Sequence, residues 1–121
     1  MDEILRLVLQ TVEENCNLTI RTDELPESNG IYAELAEGKL ERLYSDKTGI
    51  WIVPIRFFCN HSDQDTCIQN LQRICNYLHR LEAYPHSSWI DSTILIQPYR
   101  IGKQENGQYQ YSCMIHNKFY F

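Results

Sequence analysis

The spacing of apolar residues along the chain predicts two amphipathic helices. Residues 2–15 place their apolar side chains on one stripe with a helical period: Ile4, Leu5, Val8 and Val12. Residues 62–81 show the same period more clearly: Cys67, Ile68, Leu71, Ile74, Cys75, Leu78 and Leu81. Ser62 and Asp65 form a Ser-x-x-acid start for this second helix. We expect the second helix to pack its stripe on a sheet that contains Val53, Ile55 and Phe57.

Alternating or continuous apolar residues predict the strands. Short strands are expected at residues 18–22, 31–37 and 40–45, and turns at residues 37–39 and 46–49 would fold them into a meander. Residues 50–60 are apolar on both faces, so both sides of this strand should be covered, one of them by another subunit. Pro54 removes one hydrogen-bond donor there, which predicts an edge, a bulge or a subunit contact rather than an ordinary central strand.

The last third of the chain predicts a long hairpin. Residues 92–102 and 108–121 flank Asn106-Gly107, a strong hairpin signal. The final three aromatic residues, 119–121, are expected to be held in the sheet or against a partner. The predicted fold class is α+β: one domain spanning residues 1–121, with two helices packed on a mostly antiparallel sheet, in the order helix, short strands, long strand, helix and C-terminal hairpin.

Composition narrows the classes of function. With 43% hydrophobic and 22% charged residues the chain is typical of a soluble domain, and no apolar run approaches the roughly 18 residues of a membrane span. No secretory signal is recognisable, so cytoplasmic synthesis is expected.

Five cysteines without a Cys-x-x-Cys predict reduced core thiols. Cys59, His61 and Cys67 are the candidate zinc ligands, but structural zinc requires four ligands at short paired spacings, so we expect no metal.

The charge of the chain is unevenly distributed. The net charge is -5, with eleven acidic and five basic residues in positions 1–49 and five acidic and six basic residues in positions 50–121. Neither part contains a cluster of Lys and Arg, which disfavours tight binding to nucleic acid. Two interpretations of the acidic part remain open: a solvated face that keeps the protein soluble, and a functional wall of negative charge around Asp23, Glu24 and Glu27.

The sequence offers no recognisable catalytic motif. It contains no Gly-rich phosphate loop, no His-Glu-x-x-His and no Gly-x-Ser-x-Gly. The carboxylate pairs Glu13-Glu14 and Asp23-Glu24 lie on a predicted helix end and a polar loop, where nothing apolar would raise a pKa for acid catalysis. His79 is expected to be a surface residue of the helix end. We therefore expect neither enzymatic activity nor a cofactor.

Three stretches resemble a known protein family. They are Pro-Ile-Arg-Phe-Phe at residues 54–58, Cys-Ile-Gln-Asn-Leu-Gln-Arg-Ile-Cys-Asn-Tyr-Leu at residues 67–78, and Gly-Lys-Gln-Glu-Asn-Gly-Gln-Tyr-Gln-Tyr-Ser at residues 102–112. Together they resemble the minor capsid proteins of tailed phages of Gram-positive bacteria, which are similar to tail terminator proteins. The likeness covers residues 30–121 and contains no catalytic residues.

The resemblance implies a structural role in the virion. It implies a ring, usually of six subunits, that caps the tail tube at the tail-head junction and leaves a channel for DNA that is not tightly bound. The implied partners are further copies of the chain, the tail tube protein and a head-completion or connector protein. Seven residues are candidate channel or interface positions: Asp23, Glu24, Glu27, Pro54, Phe119, Tyr120 and Phe121.

Two other classes of function remain open. A small cytoplasmic ligand- or protein-binding domain without a virion role would use an apolar pocket, for which eight tyrosines supply material. An enzyme is the third class. The solution mass would separate a pocket protein from a ring, and screening for hydrolase activity would test the third class.

Overall fold

The computed structural model describes residues 2–24, 28–79, 81 and 84–121. It confirms the predicted α+β class and order of elements. The elements are α1 (Asp2–Cys16), β1 (Ile20–Arg21), β2 (Gly30–Leu35), β3 (Lys39–Leu43), β4 (Gly49–His61), α2 (Gln64–His79), β5 (Trp89–Lys103) and β6 (Tyr109–Tyr120). No helix among the described residues is long and apolar enough to cross a membrane.

The two longest pairings hold the sheet together. Its strand order is β1-β2-β4-β6-β5, with β3 also paired to β4. β4 and β6 run antiparallel from Ile50 opposite Tyr120 to His61 opposite Tyr109. Only β1 and β2 are parallel among the strand pairs of the described residues. The sheet is therefore mostly antiparallel, as predicted, with β4 and β6 at its centre.

The predicted meander is wrong at its first turn. β2 and β3 both pair antiparallel with β4, with Ala33 opposite Phe57 and Lys39 opposite Ile52. The chain therefore continues in one direction through residues 36–38 instead of reversing. The second predicted turn is confirmed, because the amide of Tyr44 donates to the carbonyl of Thr48 across 2.8 Å and connects β3 to β4.

Pro54 lies in the central strand β4, so the edge, one of the three alternatives predicted for it, is wrong. It sits where the neighbour of β4 changes from β2, which ends opposite Ile55, to β3, which begins opposite Ile52. The carbonyl of Pro54 accepts a hydrogen bond of 2.9 Å from the amide of Ala36. Amide and carbonyl of one residue point to the same neighbour in an antiparallel strand, so the missing donor falls in the gap between β2 and β3.

Helix α2 packs on the sheet as predicted. Five residues of its stripe are fully buried, and they share one core cluster with Val53, Ile55 and Phe57: Cys67, Leu71, Ile74, Cys75 and Leu78. Ile68 does not belong to the buried stripe, since it is 39% exposed. The helix begins at Gln64, because the Asp63 carboxylate accepts from the Asp65 amide (3.2 Å) and the Thr66 hydroxyl (2.9 Å). Asp63 therefore caps the helix, and the predicted Ser62 start is wrong.

The end of the chain is held in the sheet, as expected. The Phe121 amide and carbonyl both bond to Gly49, at 3.1 and 2.8 Å. Phe119 stacks on Trp89 with ring centroids 5.6 Å apart, and Phe121 stacks on Trp51 at 5.7 Å. The predicted Asn-Gly hairpin is present, with Gly107 at a φ of 85°, a value that glycine adopts without strain.

Candidate functional site

The two helices cover one face of the sheet, and no helix of the described residues lies on the other face. Helix α1 packs against α2, where the Arg73 guanidinium donates to the Cys16 carbonyl across 3.1 Å. On β4, odd-numbered residues from 53 to 59 belong to the core beneath the helices. Even-numbered residues therefore face the opposite way. We call this surface of β2, β3, β4 and β6 the helix-free face.

The helix-free face carries large apolar side chains that no helix of the described chain covers. Ile52 and Met114 are only 7% and 6% exposed, yet they lie outside the core cluster beneath the helices. Tyr32 and Phe58 contact each other with ring centroids 6.0 Å apart, and Tyr120 is 42% exposed. Ile52 and Met114 therefore offer little surface, and the apolar area open to a partner comes from half-buried Tyr32 and Phe58 and from Tyr120.

Cations surround these apolar side chains. Register places four cations on the helix-free face, together with the carboxylate of Glu34 opposite Arg56; the cations are Lys39, Arg42, Arg56 and Lys118. Lys118 pairs with Glu41 at 3.1 Å. Burial, together with the positive charge of Lys39, lowers the pKa of His116 on the same face.

The surface formed by α1, α2 and residue 63, called here the helix layer, has the opposite balance of charge. Its described acidic residues are Glu3, Glu13, Glu14, Asp63 and Asp65. Its described cations are Arg6 and Arg73. The chain therefore presents a more acidic surface on one side of the sheet and a more basic surface on the other.

The predicted acidic segment lies beside the edge of the sheet farthest from β5. The side chains of Asp23 and Glu24 are both 71% exposed, and both pair with Arg21, at 3.2 and 3.1 Å. The hydrogen bond with Arg21 lowers the pKa of Asp23. Arg21 therefore offsets part of the negative charge of this segment. Glu27, the third predicted residue, lies outside the described residues.

The other four candidate interface residues do not share one environment. Phe119 is 1% exposed and belongs to the core beneath the helices, and Pro54 is buried within β4. Tyr120 and Phe121 are 42% and 45% exposed. Only Tyr120 and Phe121 therefore offer substantial surface to a partner. Alternation along β6 explains why Phe119 is buried and Tyr120 is exposed, whereas Phe121 follows the end of β6 and stacks on Trp51.

A cleft of about 450 Å³ lies between the start of α1 and the end of β6. It is lined by Glu3, Ile4, Leu7, His86, Ser88, Phe119 and Phe121. The Ser88 amide donates to Nδ1 of His86 across 3.1 Å, which orients the ring. Sequence reasoning missed this cleft because its walls come from three separate parts of the chain. It has the size and mixed lining of a small-ligand site.

The thiols are core groups, and those of Cys67 and Cys113 are held in the protonated form. All five cysteines are buried and free. Burial raises the pKa of Cys67 to about 12, and a hydrogen bond with Cys75 together with burial raises the pKa of Cys113. Cys67 donates to the carbonyl of Cys59 at an Sγ to O distance of 3.4 Å. Among the described residues, no group of three or more His, Cys, Asp or Glu side chains could hold a metal ion.

No family model matches the chain, and no curated protein matches it. A proposal for its function therefore rests on its sequence and on the surfaces of the subunit.

Proposed function

We propose that the protein is a non-enzymatic structural subunit that works by self-association, as a tail terminator or minor capsid protein at the tail-head junction of a phage. The observation that carries this proposal is the pair of unlike surfaces on opposite sides of the sheet. The helix-free face combines Tyr32, Phe58 and Tyr120 with nearby cations. The helix layer carries an excess of carboxylates.

A ring requires two different patches on each subunit, because each copy meets the next one head to tail. We assign the helix-free face as one patch and the helix layer of the neighbouring copy as the other. Charges at the rim fix orientation and raise the rate of encounter, while apolar area supplies most of the affinity. Arg56 and Lys118 would then face carboxylates such as Glu14 and Asp65.

The role at the end of a tail follows from the resemblance of residues 54–58, 67–78 and 102–112, which lie on β4, on α2 and along the β5–β6 hairpin. A ring in this position stops growth of the tail tube, offers a docking face to a connector protein of the head, and leaves a channel for DNA. Asp23, Glu24 and Glu27 would border that channel and repel passing phosphates, which limits friction. Lys at all three positions should leave tails intact but slow DNA ejection.

Electron microscopy of tail tubes mixed with purified protein tests the assembly surface. The parent protein should form rings at tube ends. Arg56→Glu should lose them, because it reverses a charge on the helix-free face. Arg6→Glu makes the same change of charge on the helix layer, where it adds to the carboxylates that would meet the cations of the next copy, so it should retain rings. Melting curves of both variants show whether they are folded. Equal ring formation by two folded variants would contradict the assigned surface.

The cleft favours a second candidate function, a small cytoplasmic ligand- or protein-binding domain without a virion role. Such a protein would bind through Leu7, Phe119 and Phe121, and its activity would not depend on Arg56. Leu7→Trp should fill the cleft. If the protein is a ligand-binding domain, this variant should lose ligand-induced thermal shifts. If the protein is a ring subunit, the variant should still form rings on tail tubes. A monomer in dilute solution does not decide between the two, since a template raises the local concentration of subunits.

A further inference from the structure

The cleft between the start of α1 and the end of β6 is bordered by segments that the fold holds in place. The Tyr120 amide donates to the Ser88 carbonyl across 2.8 Å, and the Trp89 amide donates to the His86 carbonyl across 3.0 Å. On the other side of the cleft, α1 is anchored by Val8, which is fully buried. The cleft is therefore formed before a ligand enters it, as most small-molecule sites are.

The inner surface of the cleft is apolar and includes two phenylalanine rings. Phe119 is buried, and Ile4 and Leu7 are half-buried beside it. The Phe121 ring stacks on Trp51 with the planes 6° apart, and the Trp51 Nε1 donates to the Phe121 carbonyl across 3.3 Å. Because Trp51 covers one face of the Phe121 ring, Phe121 lines the cleft with its uncovered side.

The polar groups of the cleft give it a negative charge. Among the described residues that line it, Glu3 carries the one formally charged side chain, and Glu3 is exposed at the rim. The Ser88 amide donates to Nδ1 of His86 across 3.1 Å, so this nitrogen carries no proton and the ring is neutral, with its hydrogen on Nε2. A carboxylate at the rim of an apolar site attracts a cation and repels an anion.

We propose that the cleft binds a small organic cation, an ammonium group carried on an apolar body. The ammonium group lies beside the Glu3 carboxylate and the uncovered side of the Phe121 ring, and the body lies against Ile4 and Leu7. Both polar contacts select the same charge, because the face of an aromatic ring also attracts cations. The volume of about 450 Å³ suits a ligand of this kind. This ligand class rests on the second candidate function, in which the cleft is a binding site, and it does not depend on ring assembly.

Three ligands that share a phenyl ring and differ in charge test the class: 2-phenylethylammonium, 2-phenylethanol and phenylacetate. In NMR titrations of the whole chain, the ammonium ligand should bind with a dissociation constant roughly fivefold lower than that of the alcohol, and phenylacetate should bind most weakly. Equal or tighter binding of the alcohol or the acid would overturn the ligand class alone. Absence of binding by all three would overturn the class together with the second candidate function.

Substitutions in α1 locate the bound cation. Glu3→Gln keeps the shape of the side chain and removes its charge, so the ammonium ligand should bind roughly fivefold more weakly and the alcohol as before. Glu14→Gln is the matched control, since it removes an exposed carboxylate about three turns further along the same helix, and it should bind both ligands like the parent.

Leu7→Trp should fill the cleft and bind none of the three ligands, and melting curves of all three variants show whether they are folded. Equal binding of the ammonium ligand by folded Glu3→Gln and Glu14→Gln would refute the role of Glu3. Unchanged binding by folded Leu7→Trp would place the ligand outside the cleft and overturn the proposal.

Discussion

Truncation of Leu71 should remove a large part of the stability of the fold. Its side chain is fully buried between α2 and the sheet, in the same core cluster as Ile55 and Phe57. Removing a buried leucine side chain to alanine costs about 2–5 kcal/mol, out of a total stability of about 5–15 kcal/mol. For a chain of this size, that loss corresponds to a fall in melting temperature of roughly 10–20 °C. Leu71→Asp should unfold the domain, because it buries an unpaired carboxylate.

Ile68→Ala is the matched control on the same helix. Ile68 is 39% exposed, so its truncation should cost less than about 1 kcal/mol. Thermal unfolding followed by circular dichroism gives both values under one set of conditions. Equal melting temperatures for Leu71→Ala and Ile68→Ala, or a Leu71→Asp variant that melts like the parent, would refute the assignment of the buried helix face.

Three further predictions concern groups inside the fold. Asn117→Ala should lower the free energy of unfolding by about 1–3 kcal/mol, because it removes the partner of the buried Ser92 hydroxyl (2.6 Å) and of the Val53 carbonyl (3.1 Å). Chemical denaturation measures this change. A decrease below about 0.5 kcal/mol, the size expected for an ordinary surface substitution, would contradict the network. Folding lowers the pKa of His116, so the free energy of unfolding should be unaffected by this residue above a pH of about 6.5 and should decrease as the pH falls below that value. His116→Gln should reduce this dependence of stability on pH, and an unchanged dependence would contradict the lowered pKa. A thiol reagent should titrate five cysteines after unfolding but few before it, whereas a persistent disulfide or bound zinc would contradict reduced core thiols.

The helices and long strands were predictable because their periodicity reports burial directly. In α2, four residues at helical spacings from Leu71 are buried with it, as a period of 3.6 predicts: Cys67, Ile74, Cys75 and Leu78. Ile68 was misplaced because a stripe drawn by hydrophobicity alone includes an apolar residue at its margin. The helix start was misplaced by one residue for a similar reason, since both Ser62 and Asp63 are good caps and only geometry selects Asp63.

The path from β2 to β3 could not be read from the sequence. Gly38 lies between two short alternating segments. This pattern is compatible with a hairpin, in which the chain reverses, and equally with a chain that continues in the same direction beside a longer strand. Strand β4 is long enough to pair with β2 and β3 in succession, and this pairing keeps the chain running in one direction. Pro54 marks the gap between these pairings, but a proline in a sequence does not say which neighbour it lacks.

The candidate surfaces were less predictable than the fold. The aromatic residues 119–121 were grouped together because they are consecutive, but alternation places Phe119 in the core and Tyr120 on the helix-free face. The cleft and the sidedness of charge depend on residues that are distant in sequence. The bulges of β5, one of which leaves Leu95 without its own partner on β6, shift the alternation of that strand locally. The faces of β5 could therefore not be assigned from the sequence.

Tail length in particles assembled without this protein tests the central claim most directly. The gene would be disrupted in the genome that carries it, and tail lengths and head attachment of the particles produced would be measured by electron microscopy, with the gene supplied in trans as the control. The account predicts tails of uncontrolled length that fail to join heads, and recovery of both properties by the intact gene. Tails of normal length on infectious particles would contradict it.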